Sequence, residues 1–234
     1  MESQKRIGRD RGPEKRRYED ACAAAHAMDL FGERWAMPVM RELLLGPRRF
    51  TDLKTSLNGI SAKVLTQRLE GLEAAGVLRR RKLPPPASVQ VYELTPWGYD
   101  AAPIFQAMGR WAVRSPFHDK TKPFSPVSLM LSLRTMFDPA AAGDFEARIG
   151  LVMGEETYLW ARRDGQIRVA RAPIDDVDLT LEGDPTAIAA IVYGGRPIEE
   201  AEGAGDLKVS GDRDIARRLS AFFPLPDPAP EPAA

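Results

Sequence analysis

Apolar residues recur at helical spacing from Ala21 to Phe31, where Gly32 ends the run, and again from about Arg34 to Leu45, closed by Gly46-Pro47. A short third helix is predicted from Arg48 to Leu57, broken at Asn58-Gly59, and Ser61 caps a fourth from Ala62 to about Ala75. On that fourth helix Leu65, Leu69 and Leu72 share one face, while Lys63, Thr66, Gln67 and Glu70 fall on the opposite one. Two β-prone runs, Val77 to Leu83 and Val89 to Leu94, flank Pro84 to Ser88 and read as a hairpin. Its three consecutive prolines predict an extended, stiff tip. Thr95-Pro96 then opens a long helix to about Arg114, with a kink expected at Pro103.

After residue 126 the pattern changes. Ser125-Pro126 caps a helix from Val127 to about Phe137, and Phe145 to Met153 alternates as a half-buried strand. Thr157 to Arg162 and Gln166 to Ala170 form a hairpin around Asp164-Gly165, followed by a strand at Val177 to Leu181. A helix from Asp184-Pro185 to Tyr193, a short strand at Leu207 to Ser210 and a helix from Asp214 to Phe223 complete the pattern. The fold class is therefore α+β in two units. The predicted boundaries are a basic, disordered arm at 1–17, a helix-and-hairpin domain at 18–115, a proline-bearing linker at 116–126, an α/β domain at 127–223, and a disordered proline-rich tail at 224–234.

The net charge of zero conceals an asymmetry. Residues 1–116 hold 20 Lys plus Arg against 13 Asp plus Glu, and residues 117–234 hold 13 against 20. A basic half joined to an acidic one suits a protein of which one part meets a polyanion, although surface charge also fluctuates without function. One cysteine and two histidines exclude an intramolecular disulfide framework and a Cys/His zinc site, and no metal or other cofactor is expected. No apolar run approaches the roughly 20 residues of a membrane helix, and the basic start lacks a signal-peptide core. A cytoplasmic protein is expected. With no nucleophile constellation or phosphate loop in view, an enzyme is not.

Candidate chemistry centres on the fourth helix and the hairpin. Lys63 can reach guanine acceptors, Gln67 can pair with adenine, and Thr66 can touch a thymine methyl, so this face suits a major groove. Ser61 and Arg68 flank it. A polar helix face that merely meets water is the plain alternative. Arg79, Arg80, Arg81 and Lys82 on the first hairpin arm would grip phosphates beside the groove, or else protect an edge strand from aggregation. Helix, turn, helix and basic hairpin in that order is a winged helix-turn-helix. Trp97, Ile104, Phe105, Met108 and Trp111 form an apolar stripe larger than a small core absorbs, and are assigned to a two-fold dimer interface, which would match a palindromic operator.

Cys22, Gly32-Glu-Arg-Trp35, Arg41 to Phe50, Gly59 to Leu69, Leu94-Thr-Pro-Trp-Gly98 and Gly109-Arg-Trp111 together resemble the HxlR-type winged-helix regulators over residues 18–115. The resemblance implies a homodimeric transcriptional regulator, read here as a repressor bound to double-stranded DNA. In some members a cysteine at the place of Cys22 senses oxidants, which makes Cys22 a candidate redox sensor. Its nearness to a helix start and to His26 favours thiolate, Glu19 and Asp20 oppose it, and an inert buried thiol is the alternative.

The order Asp178 to Pro185, Tyr193-Gly-Gly195, Glu200-Ala201 and Gly205 to Asp212 resembles the sterol-carrier-protein-like fold. That resemblance implies a sheet covered by helices over an apolar cavity, and hence a hydrophobic small-molecule effector. Phe137, Leu151, Met153, Tyr158, Trp160, Ile188 and Ile191 would line such a pocket or fill a core equally well. Besides the DNA-binding regulator, a carrier of apolar molecules whose basic half only dimerises fits the same pattern.

Overall fold

The computed structural model describes residues 18–231, so the basic arm at 1–17 lies outside the described residues. The amino-terminal half runs α1 (Ala23–Phe31), α2 (Ala36–Leu43), α3 (Phe50–Ser56), α4 (Ala62–Ala74), β1 (Leu78–Lys82), β2 (Gln90–Leu94), α5 (Pro96–Tyr99) and α6 (Ala102–Ala112). Leu65, Leu69 and Leu72 of α4 share a core with Val39, Met40 and Leu43 of α2 and Leu53 of α3. β1 and β2 pair antiparallel, and Arg48 bridges to Tyr92 on the outer side of β2.

Two local expectations are corrected. The tip at Pro84 to Ser88 is a turn, not an extended stretch: the Ser88 amide donates to the Pro84 carbonyl at 3.3 Å, and Ser88 takes a φ of 40°. The long helix after Thr95 is two helices, α5 and α6, parted at Asp100 and Ala101. Thr95 caps α5 by accepting from the Gly98 amide at 3.1 Å. Pro103 sits in the first turn of α6, where its missing N–H is no loss, so the break precedes the proline. Gly98 lets α5 lie flat on β1, since a Cβ there would collide with the Val77 carbonyl.

The second half comprises α7 (Pro126–Met136), α8 (Pro139–Ala142), β3 (Ala147–Met153), β4 (Glu156–Arg163), β5 (Gln166–Arg171), β6 (Leu179–Gly183), α9 (Pro185–Val192), α10 (Ile198–Gly203), β7 (Leu207–Gly211) and α11 (Arg213–Phe222). The short helices α8 and α10 have no counterpart in the sequence reading. The sheet order is β5-β4-β3-β6-β7, and the central pair β3–β6 is parallel. The turn between β4 and β5 holds Asp164 and Gly165 at φ 50° and 72°, the left-handed geometry that favours these residue types in a tight hairpin. Registry sets Tyr158, Leu151, Leu181 and Val209 in one row across four strands. Helices α7, α9 and α11 cover that face with Met130, Leu133, Ile188 and Leu219.

The interior is filled. Phe137, Leu151, Met153, Tyr158, Trp160, Ile188 and Ile191 are all at most 5% exposed and belong to one packed cluster. Rings of Phe137, Trp160 and Phe223 meet at centroid distances of 5.4 to 5.8 Å. A hollow bordered by Leu151, Trp160 and Ile188 together with Leu133, Leu219 and Phe223 measures about 10 Å³. That is barely room for one water, against roughly 300 Å³ or more for a ligand pocket. These seven side chains pack as core, one of the two roles their sequence left open. The proline-rich tail is also less loose than expected. The Ala229 amide donates to the Arg114 carbonyl at 2.7 Å, and Arg114 Nε donates to the Asp227 carbonyl at 2.8 Å.

Among the described residues, no helix is long and apolar enough to cross a membrane, and no cluster of His, Cys, Asp and Glu could hold a metal ion.

Candidate nucleic-acid interface

Helices α3 and α4 and the turn between them form the reading unit. The Arg49 amide donates to Asp52 Oδ2 at 3.1 Å, fixing the start of α3. Gly59 turns the chain at φ 84°, Ile60 is buried, and Ser61 Oγ accepts from the Val64 amide at 3.2 Å. With Leu65 and Leu69 facing the core, the 3.6-residue period turns Lys63, Thr66, Gln67 and Glu70 to solvent, and all four are exposed. The three side chains nominated for base contact thus project from one exposed, capped helix start. Among the described residues, Lys63 has no ion-pair partner.

Arg68 departs from its assignment. Its guanidinium pairs with Glu33 and its side chain is only 18% exposed, because position 68 lies at the boundary between the polar and apolar faces. Burial lowers its proton affinity. Arg68 ties α4 to the turn before α2 instead of joining the exposed face.

The hairpin cations are divided by the strand's two-residue period. Arg79 and Arg81 both reach Glu93 on β2, at 3.0 and 2.7 Å. Arg80, on the other face, pairs with Glu73 at the end of α4 at 2.7 Å. Arginine hydrogen bonds hold both carboxyls below the usual range, Arg81 first for Glu93 and Arg80 for Glu73. Among the described residues Lys82 makes no ion pair. Four cations against Glu93 of the hairpin and Glu73 of α4 leave this surface with two net positive charges, fewer than the run suggested. The Arg79 and Arg80 guanidinium groups are exposed, however, and surface pairs of this kind contribute at most about 1 kcal/mol, so a phosphate can compete for them; the Arg81 pair is part-buried.

Trp97, Ile104, Met108 and Trp111 are 45 to 77% exposed, and Phe105 is half-buried against the core. Neither α1 nor α6 contains a buried residue, so both helices present apolar side chains with no cover in the single chain. Cys22 is uncovered in the single chain. It is exposed at the N-cap of α1, and the amides of Ala24 and Ala25 lower its pKa. His26 contributes nothing to this, since its ring faces Asp29 at 3.9 Å.

Two residues that matter here escaped the sequence reading. Arg48, one position before the exposed Arg49, is buried and bonded to Glu156 and Tyr158 in the other half; Glu42 is fully buried and accepts from Ser125 Oγ at 2.6 Å. Sequence spacing carries no sign of partners 108 and 83 residues away. An open hollow of about 1000 Å³ does lie between the halves, with walls that mix Arg41, Arg48, Asp52 and Glu156 with Trp35, Leu57, Phe124 and Met153.

A helix-turn-helix followed by a two-stranded wing makes this a winged-helix DNA-binding protein. A model of the HxlR-like helix-turn-helix family matches residues 30–119. The uncharacterized HTH-type transcriptional regulator YvaP of Bacillus subtilis is 35% identical over 86 residues, which covers 37% of this chain and 80% of that protein. The HTH-type transcriptional regulator YodB of the same organism is also 35% identical over 86 residues, covering 37% and 77%. The reduced form of YodB aligns structurally with a TM-score of 0.38 at 31% identity, over 43% of this chain and 100% of that one. The chain belongs to the HxlR-like helix-turn-helix family, and it is a DNA-binding transcriptional regulator, not an enzyme.

Proposed function

We propose that the protein is a homodimeric repressor that reads a palindromic operator with α4 in the major groove. Lys63, Thr66 and Gln67 contact base edges, Ser61 and the wing cations Arg79 to Lys82 contact phosphates, and α1 with α6 forms the two-fold interface. The observation that carries this reading is the exposed trio Lys63, Thr66 and Gln67 at a capped helix start whose opposite face is sealed into the core. The uncovered stripe Trp97, Ile104, Met108 and Trp111 supports the dimer, since a large apolar patch in water marks an interaction surface. A site boundary at Arg68 limits the base-reading face, because that side chain is occupied by Glu33.

Footprinting on the DNA that flanks its gene, with wild type and with Lys63→Ala/Gln67→Ala, tests the reading. The wild type is expected to protect two half-sites about one helical turn apart, and the variant to lose that protection while keeping weak sequence-independent binding. A footprint unchanged in the variant overturns it.

For the second half we infer a sterol-carrier-like fold on the strength of its five-stranded sheet with helices over one face. We infer no apolar ligand for it, because the interior is filled. The carrier alternative loses its support for the same reason.

A further inference from the structure

Arg48 is 3% exposed, yet it belongs to the amino-terminal half, where no carboxylate bonds to it among the described residues. Its Nη2 donates to Glu156 Oε2 at 2.9 Å and to Tyr158 Oη at 3.0 Å, and the Tyr158 hydroxyl donates to the same carboxylate oxygen at 2.7 Å. Glu156 and Tyr158 open strand β4 of the second half. From the neighbouring strand, Arg171 Nη1 donates to the Pro47 carbonyl at 3.2 Å, and its Nε lies 3.5 Å from Glu156 Oε1. Two strands of the second sheet thus grip Pro47-Arg48 from one side.

The other side of the same residue holds the wing. The Arg48 amide donates to the Tyr92 carbonyl at 2.9 Å, and the Tyr92 amide donates to the Arg48 carbonyl at 2.8 Å. Tyr92 is the middle residue of β2, and its partner across the hairpin is Arg80. A continuous set of hydrogen bonds therefore runs from the second sheet through Arg48 to the strand opposite the wing cations. Burial disfavours the Arg48 charge, and the facing Tyr158, Glu156 and Glu42 more than offset it. A buried guanidinium is tolerated only while its partners stay in place, and removing one leaves an uncompensated charge.

We propose that Glu156 and Tyr158 are positioning residues for DNA binding: by holding Arg48 they fix the wing against the body of the protein. The second half thereby contributes to DNA affinity without touching DNA. The tether stands on the bonds above; only its consequence for affinity rests on the proposed role of the wing.

The test uses the full chain carrying Arg48→Met and Tyr158→Phe together, which removes the buried cation and the hydroxyl that faces it and leaves the part-exposed Glu156 paired with Arg171, so folding should survive. Amide hydrogen exchange is expected to rise about tenfold or more in residues 78–94 and to stay unchanged in residues 65–72 of α4. Binding to a mixed-sequence duplex is measured across a salt series in parallel, with Arg80→Glu/Lys82→Glu as control. The slope of log affinity against log salt should become shallower by about one to two in both variants. Unchanged exchange in the wing overturns the tether, as does a uniform rise that includes α4. Faster wing exchange with a slope altered only in the control overturns the positioning role. Faster wing exchange with no slope change in either variant leaves the tether standing and rejects the wing's contact with phosphates instead.

Discussion

The two halves treat their aromatic side chains in opposite ways. Trp160 in the second half is 1% exposed and packs on Phe137 and Phe223, whereas Trp111 in the first is 77% exposed on a helix with no buried residue. Among the described residues the exposed large hydrophobics are Tyr18, Met28, Trp97, Ile104, Met108, Trp111 and Phe117, all in the first half or the linker behind it. A small winged helix cannot bury so much apolar surface alone, and its uncovered helices are the ground for the dimer proposed above. The acidic second half has closed its own core, and among its described residues no large hydrophobic side chain is exposed. It meets the first through polar contacts such as Arg48 to Glu156 and Glu42 to Ser125, and through Leu45, which packs against its core.

The sharpest way to break this contrast is to truncate each tryptophan. Trp160→Ala should lower stability by about 3–5 kcal/mol in urea unfolding, since a buried ring leaves a cavity. Trp111→Ala should leave the stability of a single chain within about 0.5 kcal/mol, as exposed positions do. Equal effects would mean that Trp111 is covered within its own chain. Next in size, Met108→Glu/Trp111→Glu should turn a dimer into a monomer in light scattering, with folding intact by circular dichroism. A mass near 25.9 kDa for the wild type itself would remove the dimer.

A third effect concerns the reading face. Lys63→Ala and Gln67→Ala should each weaken operator binding by about 1–3 kcal/mol and relax preference at one base pair. Arg68→Ala should instead act on stability, because the tie between α4 and the turn before α2 is lost, and should leave base preference alone. A change of base preference in Arg68→Ala would return that residue to the reading face. Ser61→Ala comes lower still. Loss of the cap on α4 should remove about 1 kcal/mol of stability, measured by thermal unfolding.

What the sequence made legible followed from periodicity and from stop signals. The α4 faces emerge because Leu65, Leu69 and Leu72 keep a helical period, and the turns at Gly59 and Gly76 lie where glycine allows positive φ. Pairing over long distances was not legible. Four cations in a row read as one positive arm, but strand geometry sends Arg80 to Glu73 and its neighbours to Glu93. Arg48 and Arg49 look alike in sequence, and only contacts with the distant Glu156 and Tyr158 set the buried one apart from the exposed one. Seven apolar residues were equally compatible with a pocket and a core, because composition does not report whether facing helices close the gap.

The smallest expected effect tests the far end of the contrast, at Cys22. The thiol is exposed at the N-cap of α1, and the amides of Ala24 and Ala25 face it with partial positive charge, which stabilises thiolate over thiol. Its pKa is therefore depressed, and the reactive fraction rises with pH through a midpoint below that of an ordinary thiol. The rate of iodoacetamide labelling in the native chain should follow that midpoint, and it should shift upward when urea unfolds α1 and disperses the two amides. A native midpoint equal to the unfolded one would show that the helix start does not act on the sulfur. If α1 joins the dimer interface, labelling should also slow at concentrations where the dimer forms and recover in Met108→Glu/Trp111→Glu. The same cysteine then reports, in one titration, both the local field of the helix and whether the uncovered face of the first half has found its partner.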